Sequence, residues 1–236
     1  MNATGRSMGT LAIVIGATGG IGSALVRVLD ETGPYDRVVG LSRRTHPGLD
    51  LLDETSIQAA AKWVAGQGDD LRLVFDATGA LTLGDRKPEK SLRELDPQAL
   101  AESYAINAIG PAILIKHFLP LLPKDGKSVF ATLSARVGSI SDNNLGGWYG
   151  YRASKAALNQ LVRTASIELA RRKPNAICVA LHPGTVRTPL TEGFAKSGLE
   201  VQAPEKAAER LLSVINGLTP AETGGYFDHM GERIEW

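Results

Sequence analysis

A tyrosine and a lysine stand four residues apart in the sequence, at Tyr151 and Lys155, within a run over 151–169 that has helical spacing. Side chains at positions i and i+4 lie on one face of a helix, so the phenol and the ammonium group are expected to be neighbours. A nearby cation can lower the pKa of a phenol, normally about 10, towards the range useful for acid–base catalysis. The same pattern also occurs on surface helices without any chemical role. The pair is therefore a candidate acid–base site, and the choice between these two interpretations depends on the other motifs in the chain.

Two further segments lie where they could join this pair. Ser134 ends an apolar run over 128–134, and HPGTVRT at 182–188 follows another such run over 176–182. In open parallel sheets, ligands bind beyond the carboxyl ends of the strands. Both segments are therefore expected at the same edge of the sheet.

Asn107 lies in a predicted helix over 97–122 that contains a proline. Pro111 has no N–H, so the helical hydrogen bond to the backbone oxygen of Asn107 cannot form. That oxygen could hold an ordered water near the site. The alternative is that the proline only bends the helix for packing.

The elements that must position these residues alternate along the chain. Short apolar runs typical of buried strands are followed by segments with helical spacing. Strands are predicted over 11–16, 37–42, 71–77, 128–134, 176–182 and 224–229, with a short extended piece over 48–52. Helices are predicted over 20–32, 54–66, 97–122, 151–169 and 204–216. This alternation predicts an α/β fold, a Rossmann-type doubly wound parallel sheet with helices on both faces.

Length and composition fit a single domain of this kind. The chain has 236 residues, and we expect a short N-terminal extension over 1–9 and one domain over 10–236. The 26 basic and 25 acidic residues are nearly balanced, so nucleic acid is not expected as a partner. A single cysteine, Cys178, favours a buried thiol and a cytoplasmic location. No apolar stretch is expected to span a membrane, and the N-terminus has no signal-peptide core.

A glycine cluster follows the first predicted strand. Gly16, Gly20 and Gly22 precede a helix, in the segment GATGGIG. Glycines permit a tight turn and close approach of the backbone, and the helix N-terminus offers N–H groups to a pyrophosphate. A glycine cluster alone can be a simple turn, but this position between strand and helix indicates dinucleotide binding.

The end of the second strand bears on the choice between NAD and NADP. An acidic residue there would hold a ribose 2′-hydroxyl, whereas basic residues accommodate a 2′-phosphate. The sequence has Ser42, Arg43 and Arg44 and no carboxylate, which favours NADP(H), with NAD(H) still possible. The alternative is a turn with two solvated arginines.

Together these motifs resemble the short-chain dehydrogenase/reductase family. They occur in the family's order, which is GATGGIG at 16–22, Asp-Ala-Thr-Gly at 76–79, Asn107, Ser134, Tyr151-x-x-x-Lys155 and PGTVRT at 183–188. Within the family, the sequence is most similar to the C-factor-like branch, named for a bacterial cell–cell signalling protein. That similarity lies in PEKSLRELDPQAL, LSARVGSISDN, GGWYGYRASKAAL and ALHPGTVRTPL.

The resemblance implies a role for each polar residue. Tyr151 would protonate a carbonyl oxygen as hydride arrives from the nicotinamide, or act as the base in reverse. Lys155 would lower the pKa of Tyr151 and hold the nicotinamide ribose. Ser134 would hydrogen-bond the substrate oxygen, and Asn107 would anchor a water in a proton relay.

The resemblance also implies cofactor contacts, an oligomer and two possible functions. The expected cofactor contacts are Gly16, Thr18, Gly20, Ile21, Gly22, Ser42, Arg43, Asp50, Leu51, Ala77, Thr78, Gly79, Tyr151, Lys155, Pro183, Gly184, Val186 and Thr188. By resemblance, helices 97–122 and 149–172 pair in a homodimer or homotetramer. One function is NADP(H)-dependent conversion of a small carbonyl substrate to an alcohol, or the reverse. The other is a nucleotide-binding, C-factor-like signalling protein with little or no turnover.

The sequence departs from the family at three places. Ile15 stands where the family usually has threonine. Asp76 and Ala77 replace the asparagines of Asn-Asn-Ala-Gly, so the usual tie between strands is in doubt. Too few residues follow the second strand for the usual helix, which trims this edge of the sheet and could open the adenine pocket at Asp50 and Leu51.

Some residues near the motifs receive no catalytic role. A structural hydrogen bond is expected for His182, and the remaining histidines have no metal-ligand spacing. Trp148 and Tyr149 could border the substrate or pack in the core. Leu190 and Phe194 follow PGTVRT, where the family closes a substrate loop, and either could contact substrate.

Overall fold

The structure, a computed structural model, describes residues 9–188 and 201–236. The strands are β1 (Thr10–Ile15), β2 (Arg37–Leu41), β3 (Asp70–Asp76), β4 (Ser128–Leu133), β5 (Ala176–His182), β6 (Thr185–Val186), β7 (Val201–Gln202) and β8 (Tyr226–Asp228). The helices are α1 (Gly20–Thr32), α2 (Glu54–Ala65), α3 (Pro97–Tyr104), α4 (Gly110–Phe118), α5 (Tyr149–Arg172) and α6 (Pro204–Gly217). A π-helical turn, Ala105–Ile109, joins α3 to α4.

Six strands form one parallel sheet in the order β2-β1-β3-β4-β5-β8. The chain runs outwards from β1 to β2 and then returns to β3 on the other side of β1. This reversal confirms the predicted doubly wound sheet, and it opens a crevice beyond the carboxyl ends of β1 and β3. The short strands β6 and β7 pair separately.

Alternate residues of the central strands enter two hydrophobic cores, one on each face of the sheet. In β1, Ile13 and Ile15 pack towards α2, α4 and α5, whereas Ala12 and Val14 pack towards α1 and α6. Cys178 is buried in the first of these cores, where burial raises its pKa to about 12. The cysteine is therefore the buried thiol that the sequence predicts.

Aspartate side chains cap the N-termini of two helices. The Asp53 carboxylate accepts a hydrogen bond from the backbone N–H of Thr55 at the start of α2. The Asp96 carboxylate accepts one from Ala99 at the start of α3. Each side chain satisfies a helix donor that would otherwise lack a partner.

Two segments differ from the sequence-based expectation. Residues 48–52 form no strand, because the Asp50 carboxylate accepts a hydrogen bond from Leu52 and closes a turn. The predicted helix over 97–122 is divided into α3, the π-helical turn and α4. With no helix between β2 and α2 and β2 at the sheet edge, the trimmed edge is as predicted.

The prediction that no apolar stretch could span a membrane needs correction at the segment Pro97–Leu121. By length and a mean hydropathy of 1.2 it could span one. In the described fold, however, α4 packs against α2 and α5 and contributes Leu114 and Phe118 to the core. Core helices meet the same criteria of length and composition, so the segment is a weak indication of a membrane span.

Candidate active site

Lys155 lies at the centre of the candidate site and is 2% exposed. It stands near the start of α5, and its Nζ atom donates a hydrogen bond to the carbonyl oxygen of Leu133 at the end of β4, at 2.8 Å. Burial lowers the pKa of Lys155 to about 8, and the nearby Asp76 carboxylate opposes this shift. The lysine is therefore a buried cation that titrates just above neutral pH.

The Tyr151 ring lies one turn before Lys155, with the lysine Nζ 5.9 Å from the ring centroid. The ring of Trp148 meets it edge to face, with 6.3 Å between centroids. The lowered pKa expected for Tyr151 is not found in this structure. Although part of the residue remains accessible, loss of solvation dominates and raises the pKa of Tyr151 to about 12. Tyr151 is therefore a protonated phenol at neutral pH, as a proton donor must be.

The Ser134 hydroxyl is held by an asparagine that the sequence analysis missed. Its Oγ atom donates a hydrogen bond to Oδ1 of Asn159 at 2.7 Å, and both residues are buried. Nδ2 of Asn159 faces the carbonyl oxygen of Gly138 at 3.4 Å. Because Asn159 is one helical turn beyond Lys155, the spacing argument that paired Tyr151 with Lys155 could have identified it.

Asn107 ties the π-helical turn to the segment that follows β3. Its Nδ2 atom donates to the carbonyl oxygen of Ala80 at 2.8 Å, and its Oδ1 atom accepts from the Ala80 N–H at 2.9 Å. The Gly110 N–H donates to the carbonyl of Ala105, five residues earlier, and Pro111 has no N–H to restore the α-helical pattern. Such π-bulges occur frequently at functional sites.

Gly79 brings Asn107 close to Lys155. A Cβ atom at Gly79 would lie 3.2 Å from both Oδ1 of Asn107 and Nζ of Lys155, and the backbone φ of +142° also favours glycine. The chain therefore passes close between these two polar side chains.

Asp76 provides the tie between strands that the sequence analysis left in doubt. Its carboxylate accepts hydrogen bonds from the Thr132 hydroxyl on β4 at 2.7 Å and from the N–H of Thr78 at 3.0 Å. The Thr78 hydroxyl is a third donor, at 2.5 Å. A carboxylate thus performs the task expected of asparagine, while Ala77 takes no part in it through its side chain.

Two observations indicate that the glycine loop, residues 16–22, can accommodate the pyrophosphate of a dinucleotide. A Cβ atom at Gly22 would lie 2.2 Å from the carbonyl oxygen of Gly16, so α1 can start this close to the strand end only with glycine. No side chain caps the N-terminus of α1, which leaves its first turn open to an anion. Thr18 is exposed at the tip of the loop, and Ile21 is half-buried.

Two other predicted cofactor segments meet this loop. A Cβ atom at Gly16 would lie 3.1 Å from the Ala77 backbone and from the Thr78 methyl group. One at Gly20 would lie 2.7 Å from the methyl group of Thr188. The structure therefore brings segments 16–22, 77–79 and 183–188 together along the crevice.

The end of β2 presents two arginines to solvent. Arg43 and Arg44 are exposed, and the Arg44 N–H donates to the buried Ser42 hydroxyl at 3.2 Å. Asp50 and Leu51 lie in the following turn, where Leu51 packs near Gly110. The structure thus places a hydroxyl and two exposed cationic side chains beside the trimmed sheet edge.

Gln202 holds the segment that follows β5, residues 183–188. Its Nε2 atom donates a hydrogen bond to the carbonyl oxygen of Pro183 at 2.6 Å. Gly184 has a φ of +75° and passes close to His229, while Val186 is buried in β6. The structural hydrogen bond expected for His182 is not found at its buried Nδ1 atom among the described residues. Burial lowers the pKa of His182 to about 4, so its ring is neutral.

The loop before α5 places Trp148 beside the site. Trp148 has a φ of +52°, and its N–H donates to the carbonyl oxygen of Glu89 at 2.5 Å. Its ring contacts that of Tyr151, and the expectation that Trp148 borders the substrate stays a prediction. Tyr149 is half-buried, and Leu190 and Phe194 lie outside the described residues.

Comparison with protein families and curated proteins gives consistent relatives. Residues 38–224 match the family described as Enoyl-(Acyl carrier protein) reductase. The 1-hydroxy-2-glutathionyl-2-methyl-3-butene dehydrogenase of Rhodococcus sp. is 32% identical over 95% of this chain and 98% of its own. The short-chain dehydrogenase srdF of Neurospora crassa is 30% identical over 96% and 98%. The C-signal protein of Myxococcus xanthus is 36% identical over 62% of this chain and 84% of its own.

Solved structures share the fold along almost the whole chain. The NADPH-bound carbonyl reductase from chicken fatty liver has a TM-score of 0.83 and 26% identity, covering 98% of this chain and 100% of that one. Carbonyl reductase Sniffer of D. melanogaster has a TM-score of 0.82 with the same coverage, and at 23% identity it shows the fold alone.

Proposed function

The chain belongs to the short-chain dehydrogenase/reductase family, and we propose that it is an NADP(H)-dependent oxidoreductase that interconverts a carbonyl group and an alcohol. The observation that carries this proposal is the grouping of Ser134, Tyr151, Lys155 and Asn107 beside the glycine loop. A protein that only bound a nucleotide would have no chemical need for a protonated phenol next to a buried cation.

The proposed reaction assigns one task to each side chain. A bound reduced nicotinamide would supply the hydride. Tyr151 donates its phenolic proton to the carbonyl oxygen as negative charge develops there, and its high pKa keeps that proton available at neutral pH. Ser134 hydrogen-bonds the same oxygen. The charge of Lys155 stabilises the phenolate that remains on Tyr151, and its ammonium group would hold the nicotinamide ribose.

We propose that Asn107 connects Tyr151 and Lys155 to solvent. Its side chain is fixed by the Ala80 backbone beside Lys155. Its backbone oxygen cannot accept a hydrogen bond from Pro111 and is proposed to anchor a water that returns a proton towards Lys155. In alcohol oxidation, the same residues would act in reverse, with Tyr151 as the base.

We propose NADP(H) as the cofactor, with NAD(H) as the weaker alternative. The support is the pair of exposed arginines, Arg43 and Arg44, and the absence of a carboxylate at the end of β2. The NADPH bound to the 26%-identical carbonyl reductase from chicken fatty liver agrees with this choice. The substrate would be a small carbonyl compound or alcohol, and the Rhodococcus relative suggests that thioether-bearing alcohols belong in any trial.

A second candidate function is supported by the similarity to C-signal of Myxococcus xanthus. In that case the protein would bind a nucleotide and act in signalling with little or no turnover. We propose a cytoplasmic protein in either case, without nucleic acid or membrane as a partner, and a homodimer or homotetramer.

The test is steady-state oxidation of NADPH with a panel of aldehydes and ketones, and reduction of NADP⁺ with the corresponding alcohols. We expect turnover with at least one pair, and we expect Tyr151→Phe to lower kcat by about a hundredfold or more because the proton donor is lost. Lys155→Met should lower both kcat and the affinity for NADPH.

The outcome separates the two functions. NADPH binding without turnover on any substrate, and biological activity unaffected by Tyr151→Phe, would support the signalling protein. Near-normal reductase activity of Tyr151→Phe would contradict the catalytic assignment.

A further inference from the structure

A buried tyrosine hydroxyl lies beside Ser134 and takes no part in the mechanism above. Tyr226, on β8, is completely buried, and its ring stacks on Trp236 with 5.5 Å between centroids. Its hydroxyl makes no hydrogen bond of acceptable geometry with any residue in the described parts of the chain. Buried polar groups without a partner are rare in native proteins, so this hydroxyl requires an explanation.

The neighbours of the hydroxyl identify what it could bind. Ser134 and Asn159 lie close enough to lower the pKa of Tyr226, although burial has the larger effect and raises it. The phenol therefore stays protonated and is a hydrogen-bond donor. Two nearby atoms could accept a hydrogen bond from it, Oγ of Ser134 and Oδ1 of Asn159, whereas Nδ2 of Asn159 is a donor that faces the carbonyl oxygen of Gly138.

In the structure, Oδ1 of Asn159 accepts a hydrogen bond from Ser134. A serine hydroxyl has a single proton, and Ser134 donates it to Asn159 at 2.7 Å. Ser134 therefore cannot donate to a substrate oxygen unless it turns away from Asn159. Turning would leave the buried Oδ1 atom without a donor, which is unfavourable.

We propose that Tyr226 is a positioning residue that replaces Ser134 as the donor to Asn159 when Ser134 turns its hydroxyl towards the substrate oxygen. The exchange rests on the proposed function, because it frees Ser134 for a carbonyl or alcohol oxygen. One hydrogen bond breaks and two form, from Tyr226 to Asn159 and from Ser134 to the substrate. The hydrogen bond from Tyr226 to Asn159 thereby offsets the free-energy cost of releasing Ser134 from Asn159.

Kinetics of Tyr226→Phe provide the first test. Loss of one neutral hydrogen bond should lower kcat by about three- to tenfold. The dissociation constant for NADPH should not change. In a Ser134→Ala background, Tyr226→Phe should have no further effect on kcat, because no serine remains to be released. Tyr35→Phe, at the opposite edge of the sheet, is the matched control and should retain the unmodified kcat.

An unchanged kcat of Tyr226→Phe, or an equal loss in both backgrounds, would overturn the inference. If the unmodified protein has no turnover on any substrate, the proposed function fails, and the exchange is judged by stability alone.

The stability test needs neither substrate nor cofactor. In the unmodified protein, Tyr226→Phe removes a hydroxyl without a hydrogen bond, so its melting temperature should barely change. In Ser134→Ala, the Tyr226 hydroxyl is free to donate to Asn159, so Tyr226→Phe should lower the melting temperature by about 2–4 °C. The same melting-temperature change in both backgrounds would overturn the exchange.

Discussion

At the scale of single residues, burial moves the pKa values of Tyr151 and Lys155 in opposite directions. The Tyr151 pKa rises to about 12, and the Lys155 pKa falls to about 8. Near neutral pH both groups carry their proton, which leaves a neutral phenol beside an ammonium cation. As the pH rises, the lysine loses its charge well before the tyrosine loses its proton. In the proposed reaction, Lys155 therefore sets the upper pH limit.

We expect kcat for carbonyl reduction to fall as the pH rises through about 8, the lowered pKa of Lys155. Above that pH the uncharged lysine no longer stabilises the phenolate that Tyr151 becomes when it gives up its proton. The measurement is kcat at saturating NADPH and carbonyl substrate from neutral to alkaline pH.

Lys155→Arg is the control for this pH dependence, because a guanidinium group stays charged throughout. Its remaining activity should show no decline near the lysine pKa. A flat profile for the unmodified protein, or the same decline in both proteins, would contradict the assignment to Lys155.

A second residue-scale prediction concerns Arg43 at the end of β2. Arg43→Asp should weaken NADPH binding by about tenfold or more, since it removes a charge-assisted hydrogen bond and adds repulsion against a 2′-phosphate. NADH binding should be unchanged or improved. The measurement is the dissociation constant of each cofactor, with Arg93→Asp, another exposed arginine, as the control. Equal affinity of the unmodified protein for NADH and NADPH would count against the proposed preference.

The sequence revealed the pair of residues that helical spacing brings together, but not the side chains packed around the site, such as Asn159 on the same helix and Tyr226 on another element. Helical spacing alone was enough to pair Tyr151 with Lys155. It did not reveal Tyr226, because β8 joins the site only through the order of strands in the sheet. The sign of the Tyr151 pKa shift was likewise unpredictable, since it depends on how much solvent the surrounding chain removes.

At the scale of elements, the helix that carries the proposed acid is capped by another part of the chain. Helix α5 starts after Trp148, which gives no side-chain cap. Instead, the nearly buried Glu89 carboxylate accepts a hydrogen bond from the Gly150 N–H at 3.2 Å. A negative charge at a helix N-terminus is also favoured by the helix dipole. Glu89 therefore fixes the first turn of α5, where Tyr151 stands.

Glu89→Ala should reduce both stability and activity. Loss of a helix cap costs about 0.5–2 kcal/mol in the free energy of unfolding. Because the first turn of α5 loosens, kcat should fall as well, while NADPH affinity should stay close to that of the unmodified protein. The measurements are denaturant unfolding, kcat and NADPH binding.

Two variants test whether capping is the cause. Glu89→Gln keeps an oxygen that can accept from Gly150 and should recover most of the loss. Glu168→Ala, an exposed glutamate later in α5, should change neither quantity appreciably. Equal losses for Glu89→Ala and Glu89→Gln would show that the charge, and not the hydrogen bond, is responsible.

The division between α3 and α4 shows what an element-scale pattern can predict. Pro111 predicts a missing helical hydrogen bond, and the structure has an irregular turn at that place. The π-helical form itself was not predictable, because it depends on the contacts that hold Asn107 against Ala80.

At the scale of the whole molecule, the order of strands and helices was sufficient to predict the parallel sheet. Each central strand carries apolar residues that face both cores, as strands covered by helices on both sides require. The segment after β2 is too short for the usual helix, and its length was likewise sufficient to predict the trimmed sheet edge. The turn over 48–52 was less predictable, because the Asp50 carboxylate competes locally with extended backbone.

The outer surfaces of α4 and α5 motivate the last prediction, which concerns self-association. Ile109, at the junction with α4, is 55% exposed, and Leu161 and Ile167 on α5 are 37% and 45% exposed. Pairing of these helices with a second copy would remove such side chains from water, as expected for a closed, two-fold symmetric oligomer.

We therefore expect sedimentation at micromolar concentration to show a dimer or tetramer, and the double substitution of Leu161 and Ile167 by Glu to shift it to the monomer. Leu92→Glu, which charges an exposed leucine outside these helices, should leave the oligomer intact. A monomer in the unmodified protein, or an oligomer indifferent to the α5 substitutions, would rule out this interface.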